Sequence, residues 1–89
     1  MHFEWDQLKA ESNRRKHKVT FDEAVSVFYD PLSATFRDPD SPPSEQRLIT
    51  VGHSLHERLL VVVHTEHGET IRIISARLAT VHERKRHES

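Results

Sequence analysis

The sequence predicts an α+β fold, with two helices near its start, a small antiparallel sheet after them and a short helix at its end. Three stretches carry that expectation. In "TFDEAVSVFYDP", Thr20 and Glu23 are spaced as a capping box, and Phe21, Ala24, Val25 and Phe28 recur at helical intervals as one apolar stripe. "RLLVVVHTE" and "TIRIISAR" are two β-rich runs separated by His67-Gly68, a hairpin signature. "TVHE" repeats the capping spacing at Thr80 and Glu83, so the basic ending starts as a helix.

The remaining elements follow in order. "HFEW" alternates and is rich in aromatics, which suits a short first strand. Asp6 then caps a helix through "QLKAESNRRKH", whose apolar content is thin and whose outer face is basic. Asp30-Pro31 stops the second helix. "LSATFRD" suits an edge strand, "PDSPPSEQ" is a loop, and "RLITVGHS" is a strand joined to "RLLVVVHTE" around residues 53–57. With Glu66 and Glu69 flanking the hairpin turn, His64, Glu66 and Arg77 fall on one face together with Leu60, Val62, Ile71 and Ile73. The sheet is thus about four antiparallel strands plus the short N-terminal one, with both N-terminal helices on one face.

Eighty-nine residues suffice for a single domain, 1–89, that buries only about 60–65% of its unfolded surface. At 35% hydrophobic and 30% charged, the chain can fold around one thin core layer with little apolar surplus. There is no cysteine, which excludes disulfides and thiolate metal sites. No apolar run approaches a membrane span and the amino terminus is not a signal peptide, so a cytoplasmic protein with no membrane partner is expected.

The net charge of −1 conceals segregation. "KAESNRRKHK" sets Lys9, Arg14, Arg15, Lys16 and Lys18 against Glu11, and the ending sets Arg77, Arg84, Lys85 and Arg86 against Glu83 and Glu88, while acids crowd between Asp22 and Glu45. Basic surfaces of this kind suit phosphate or an acidic partner, and also occur as plain solvated helix faces. Aromatic side chains on which bases could stack are few: Phe3, Trp5, Tyr29 and Phe36, of which Phe3 and Trp5 suit the core.

Arg77 at a strand end, with His64 and Glu66 beside it, supplies the parts for cleaving RNA without metal. One group takes the 2′-hydroxyl proton, cations hold the charge growing on phosphorus, and another group protonates the leaving oxygen. The same residues also admit a structural assignment, with Arg77 bridged to Glu66 or Glu83 and His64 a strand histidine. Glu83 in its capping box has a structural role that competes with a catalytic one. The helix after it is polar all round, so its charges have more to gain from a substrate or partner than from packing. Eight histidines include pairs at 53/56, 64/67 and 82/87, but none forms H-E-x-x-H or an i, i+4 pair on a clear helix, so no metal site is assigned. Two glycines exclude a glycine-rich phosphate cradle, and no cofactor is implied.

Taken in order, "FEWD…KAESNRRKHKVTFDEAVSVFYDPL", "RLITVGHS", "RLLVVVHTE" and "IRIISARLATVHERKR" resemble the BrnT family of bacterial type II toxin–antitoxin ribonucleases, over nearly the whole chain. The sharpest pieces are N-x-x-K-H at Asn13, Lys16 and His17, and I-S-A-R-x-A-T-x-x-E-R from Ile74 to Arg84. The resemblance implies a RelE-like fold with a groove on the sheet face opposite the helices, and metal-independent endoribonuclease activity that arrests translation. It also implies a BrnA-like antitoxin, in a hetero-oligomer that reaches operator DNA through the antitoxin. Functional positions carried over are His64, Glu66, Arg77, Glu83 and Arg84, with Arg72 and Lys16-His17 as further RNA contacts beside Lys85 and Arg86.

Two residues depart from the family pattern. His87 stands where tyrosine is usual; it can still move a proton but offers less stacking area. That change sustains an alternative, a BrnT-like module that binds an antitoxin or nucleic acid without cleaving it. Lys18 stands where glycine is usual, and a left-handed helix end there would cost up to ~1 kcal/mol.

Overall fold

A computed structural model describes residues 1–88. Strand β1 (His2–Glu4) leads into helices α1 (Gln7–His17) and α2 (Phe21–Val27). Strands β2 (Ala34–Arg37), β3 (Leu48–His53), β4 (Leu59–His67) and β5 (Thr70–Leu78) follow, then helix α3 (Val81–Glu88). The sheet order is β1-β5-β4-β3-β2. β2 to β5 pair antiparallel as the sequence predicts, but β1 lies parallel to β5, so the sheet is mixed. The two helices between β1 and the meander supply the long connection that a parallel neighbour requires.

Local chemistry accounts for the helix ends. Asp6 accepts from the N–H groups of Leu8 and Lys9 at 2.8 and 3.1 Å, capping α1. Lys18 closes α1 in the left-handed region, φ 60° and ψ 32°, the conformation glycine would adopt without strain. Thr20 caps α2 through the Glu23 N–H at 3.0 Å, but the box is only half formed. The buried Glu23 carboxylate turns instead to Ser54 Oγ at 2.6 Å and to the Arg58 guanidinium, tying α2 to the β3–β4 turn. Arg58 above all holds that carboxyl below its usual range, against the opposing effect of burial. The second box forms in full: the Glu83 N–H donates to Thr80 Oγ1 at 3.1 Å and the Thr80 N–H to Glu83 Oε1 at 2.9 Å.

The main core lies between the helices and one sheet face. Val19, Phe21, Ala24 and Val27 pack with Leu60, Val62, Ile71, Ile73 and Ala76, with Phe3, Trp5 and Phe28 against them. A smaller apolar cluster, Val51, Leu59 and Val61 with Ile49 and Ala79, covers the opposite face. This double cover explains why β4 reads as an unbroken hydrophobic run. Among the described residues, no helix is long and apolar enough to cross a membrane.

The β4–β5 hairpin departs from the expected register. Its turn is Gly68-Glu69, with Gly68 at φ +61°, one residue later than the sequence suggests. More consequentially, His64 pairs with Ile73 while Val63 pairs with Ser75, which leaves Ile74 as an extra residue in β5. Beyond that bulge Arg77 opposes Val61, and Ala76 opposes Val62. Arg77 therefore lies on the face of Val61, opposite the helices, and not on the face of His64 as a regular hairpin would place it.

A candidate active-site groove

On the sheet face away from α1 and α2 lies a groove of about 360 Å³. Its floor is apolar, formed by Ala34, Ile49, Val51 and Val61 at alternating positions of β2, β3 and β4. Phe36 and Pro39 form one wall, with the Phe36 ring half exposed, and Arg77, Glu83, Arg86 and His87 form the other. The bulge brings Arg77 into this groove. The full capping box fixes the direction of α3, so that Glu83, Arg86 and His87, at i, i+3 and i+4, share the helix face turned to the floor.

Arg77 is not idle there. Its two terminal nitrogens donate to the two oxygens of Glu83 at 2.8 and 2.9 Å, a bidentate pair, and one of them also reaches the Leu78 carbonyl at 3.2 Å. The Arg77 guanidinium beside Glu83 pushes that carboxyl down to about 2, aided by the Thr80 N–H. Glu83 in turn raises the Arg77 guanidinium. A carboxylate so acidic is a poor proton acceptor near neutral pH, and both Glu83 oxygens are already engaged, by the Arg77 guanidinium and, at Oε1, the Thr80 N–H. The bridge foreseen between Arg77 and Glu83 is thus present, inside the groove.

The other candidates are scattered. His64 is fully buried on the helix side, with its ring edge-on to Phe28 at 4.9 Å between centroids and Nε2 2.7 Å from Thr50 Oγ1. Burial pushes its pKa down to about 4. Glu66 is exposed at the hairpin end, opposite Ile71. Neither meets Arg77, because the bulge separates their faces. Arg72 is paired with Glu4 at 2.8 Å beside β1. Arg84 and Lys85 are exposed on α3 and do not line the groove. Lys16 and His17 border a separate shallow cavity with Ile74 and Ser75. Among the described residues, no three histidines or carboxylates converge to hold a metal ion.

The neighbourhood also contains residues the sequence left unassigned. His53, read there as part of a loop, ends β3 on the groove face, following Ile49 and Val51 at alternate positions. Its ring centroid is 6.1 Å from that of His87. The period-two alternation Ile49, Val51, His53 was the signal that could have placed it.

Comparisons with known proteins agree with this architecture. The family model described as "Ribonuclease toxin, BrnT, of type II toxin-antitoxin system" matches residues 5–83. The crystal structure of the Brucella abortus ribonuclease toxin BrnT superposes with a TM-score of 0.70 at 23% identity, covering 90% of this chain and 97% of that one. A search of curated proteins finds no match.

Proposed function

This chain belongs to the BrnT family of ribonuclease toxins of type II toxin–antitoxin systems, and from that membership we propose that it is a metal-independent endoribonuclease acting in the groove beneath α3. The observation that carries the proposal is one wall of groove chemistry: a bidentate-held arginine, a second arginine and an imidazole above an apolar floor, facing the exposed ring of Phe36. Phosphate fits the guanidinium of Arg77, whose two parallel donors match two phosphate oxygens as they now match two carboxylate oxygens. A base has a ring to stack on in Phe36.

The chemistry follows from placement. The 2′-oxygen attacks the adjacent phosphorus, the bond from phosphorus to the 5′-oxygen breaks, and a 2′,3′-cyclic phosphate and a 5′-hydroxyl result. Arg77 holds the charge that grows on the non-bridging oxygens. His87 takes the proton from the 2′-hydroxyl. We assign that step to His87 and not to His64, because the His64 ring is sealed in the core. RNA cleavage would arrest translation in the cytoplasm, and a BrnA-like antitoxin in a hetero-oligomer would restrain it.

The Arg77–Glu83 pair also favours a second reading, a module that binds without cleaving, since phosphate must compete with an aligned carboxylate. Inducing the chain without antitoxin, beside an Arg77→Ala version, separates the two. Growth arrest with RNA cleavage by the wild type only supports the ribonuclease. Normal growth with both proteins soluble and folded supports the binding module.

A further inference from the structure

Cleavage of a phosphodiester through its 2′-oxygen moves two protons, at opposite ends of the same phosphorus. A single imidazole in the groove accounts for one of them. The second ring is already in place: His53, 6.1 Å from His87 between centroids. Rings this close stand side by side, so one phosphodiester lying across both would offer a different bridging oxygen to each.

His53 is held by a purpose-built contact. Its backbone N–H donates to Asp30 Oδ2 at 2.7 Å, and its Nδ1 stands 3.7 Å from the same oxygen. The other oxygen, Asp30 Oδ1, accepts from the Leu32 N–H at 3.0 Å, so the carboxylate is fixed by its own loop. That loop seats on β3 at Gly52, where a Cβ would stand 2.8 Å from Ser33 Cβ and 3.2 Å from Asp30 Oδ2. A side chain at Gly52 would crowd this loop and Val27, so the close seat of Asp30 on β3 depends on glycine there. Asp30 is 12% exposed, and its carboxyl sits below its usual range because the His53 and Leu32 N–H groups donate to it. The negative carboxylate draws the Nδ1 edge of the ring towards the loop, which leaves Nε2 for a second partner.

We propose that His53 is the general acid of the reaction, oriented by Asp30, and that it delivers a proton to the leaving 5′-oxygen while His87 accepts the one from the 2′-hydroxyl. Atoms balance over the step: the bond from the 2′-oxygen to phosphorus forms as the bond to the 5′-oxygen breaks, His87 gains a proton and His53 loses one. Exchange with water restores both rings. This assignment rests on the ribonuclease reading and deepens it.

The test uses two substrates for the purified full chain. One is a short single-stranded RNA, and the other is the same RNA with sulfur in place of the leaving 5′-oxygen at the cleaved bond. A thiolate leaves without a proton, so a missing general acid matters little there. His53→Ala and His53→Gln keep the backbone N–H that holds Asp30, and circular dichroism verifies their fold. Both are expected to lose ~10²–10³-fold in kcat on the ordinary RNA, and less than about 10-fold on the sulfur substrate. Equal losses on both substrates, or no loss on either, overturn the assignment while leaving the ribonuclease intact. A folded wild type that cleaves neither substrate overturns both.

Discussion

Asn13 of α1 gives Ala76 of β5 both of the hydrogen bonds that a neighbouring strand would give. Its Nδ2 donates to the Ala76 carbonyl at 2.8 Å, and its Oδ1 accepts from the Ala76 N–H at 3.1 Å. Nδ2 also donates to the Val19 carbonyl at 2.9 Å. β1 pairs with β5 only from Thr70 to Arg72, so the later part of that edge needs another partner, and one buried side chain provides it. Asn13→Ala would orphan three backbone groups and should destabilise the chain by about 2–4 kcal/mol. Urea unfolding measures this, and a loss under about 1 kcal/mol would mean that water replaces the amide.

His64 makes stability depend on acid. Its pKa falls to about 4 in the folded chain from an ordinary 6.5. As pH drops below the ordinary value, the unfolded chain binds a proton that the folded chain refuses, so stability declines until about the folded value. The full decline amounts to roughly 3 kcal/mol. His64→Leu should flatten that limb of a plot of urea midpoint against pH. An unchanged limb in the variant would assign the acid sensitivity to other groups.

Glu83 behaves in the opposite sense. Its depressed carboxyl contributes stability above the ordinary carboxylate range, and that contribution is lost progressively as pH falls from that range to about 2. The bridge to Arg77 therefore outlasts the acid range in which His64 acts. With both side chains about one-third exposed or more, Glu83→Gln should cost no more than about 1 kcal/mol. If phosphate competes with Glu83 for Arg77, the same change should tighten binding of an uncleavable 2′-deoxy RNA analogue by roughly 3–10-fold, about 1 kcal/mol. Fluorescence anisotropy at fixed salt reads this, and weaker binding would show that Glu83 prepares Arg77 more than it occupies it.

Lys18 pays for its left-handed backbone without a side-chain bond to show for it among those described. Its N–H still donates to the Arg14 carbonyl at 2.9 Å, and its carbonyl accepts from Arg58 at 3.1 Å, neither of which needs a Cβ. Lys18→Gly relieves the strain and adds freedom to the unfolded chain, for a net gain of about 0.5 kcal/mol. Thermal unfolding should shift upward by roughly 2–4 °C. A downward shift would put the unfolded-chain entropy in control.

Much of this structure is legible in the residues. The span of α1, the chain order of the strands and the Thr80–Glu83 box follow from local chemistry, which acts within a few positions, and the left-handed Lys18 from the family pattern in which glycine is usual there. The parallel seat of β1 was not legible, because it depends on a crossover of two helices. Nor was the destination of Glu23, whose spacing to Thr20 signals a box while its partners lie far along the chain at Ser54 and Arg58. The groove was half legible. Arg77, Glu83, Arg86 and His87 share it as the charge pattern and family resemblance suggested, whereas alternation carried through the bulge led to the wrong companions, His64 and Glu66.

That bulge sets a rule for how this chain can vary. Before Ile74 the odd-numbered positions of β5 meet the helices; after it, from Ala76 on, the even-numbered ones do. Loss of Ile74 would remove the bulge yet leave Ala76 against Val62 and Arg77 against Val61. Drawing Ile74 into the ladder would do the opposite: simple alternation would turn Arg77 into the core against Leu60 and Ala76 out of it. Arg77 reaches the groove because one residue upstream stands outside the pairing, so its position is set by a count of paired residues as much as by identity.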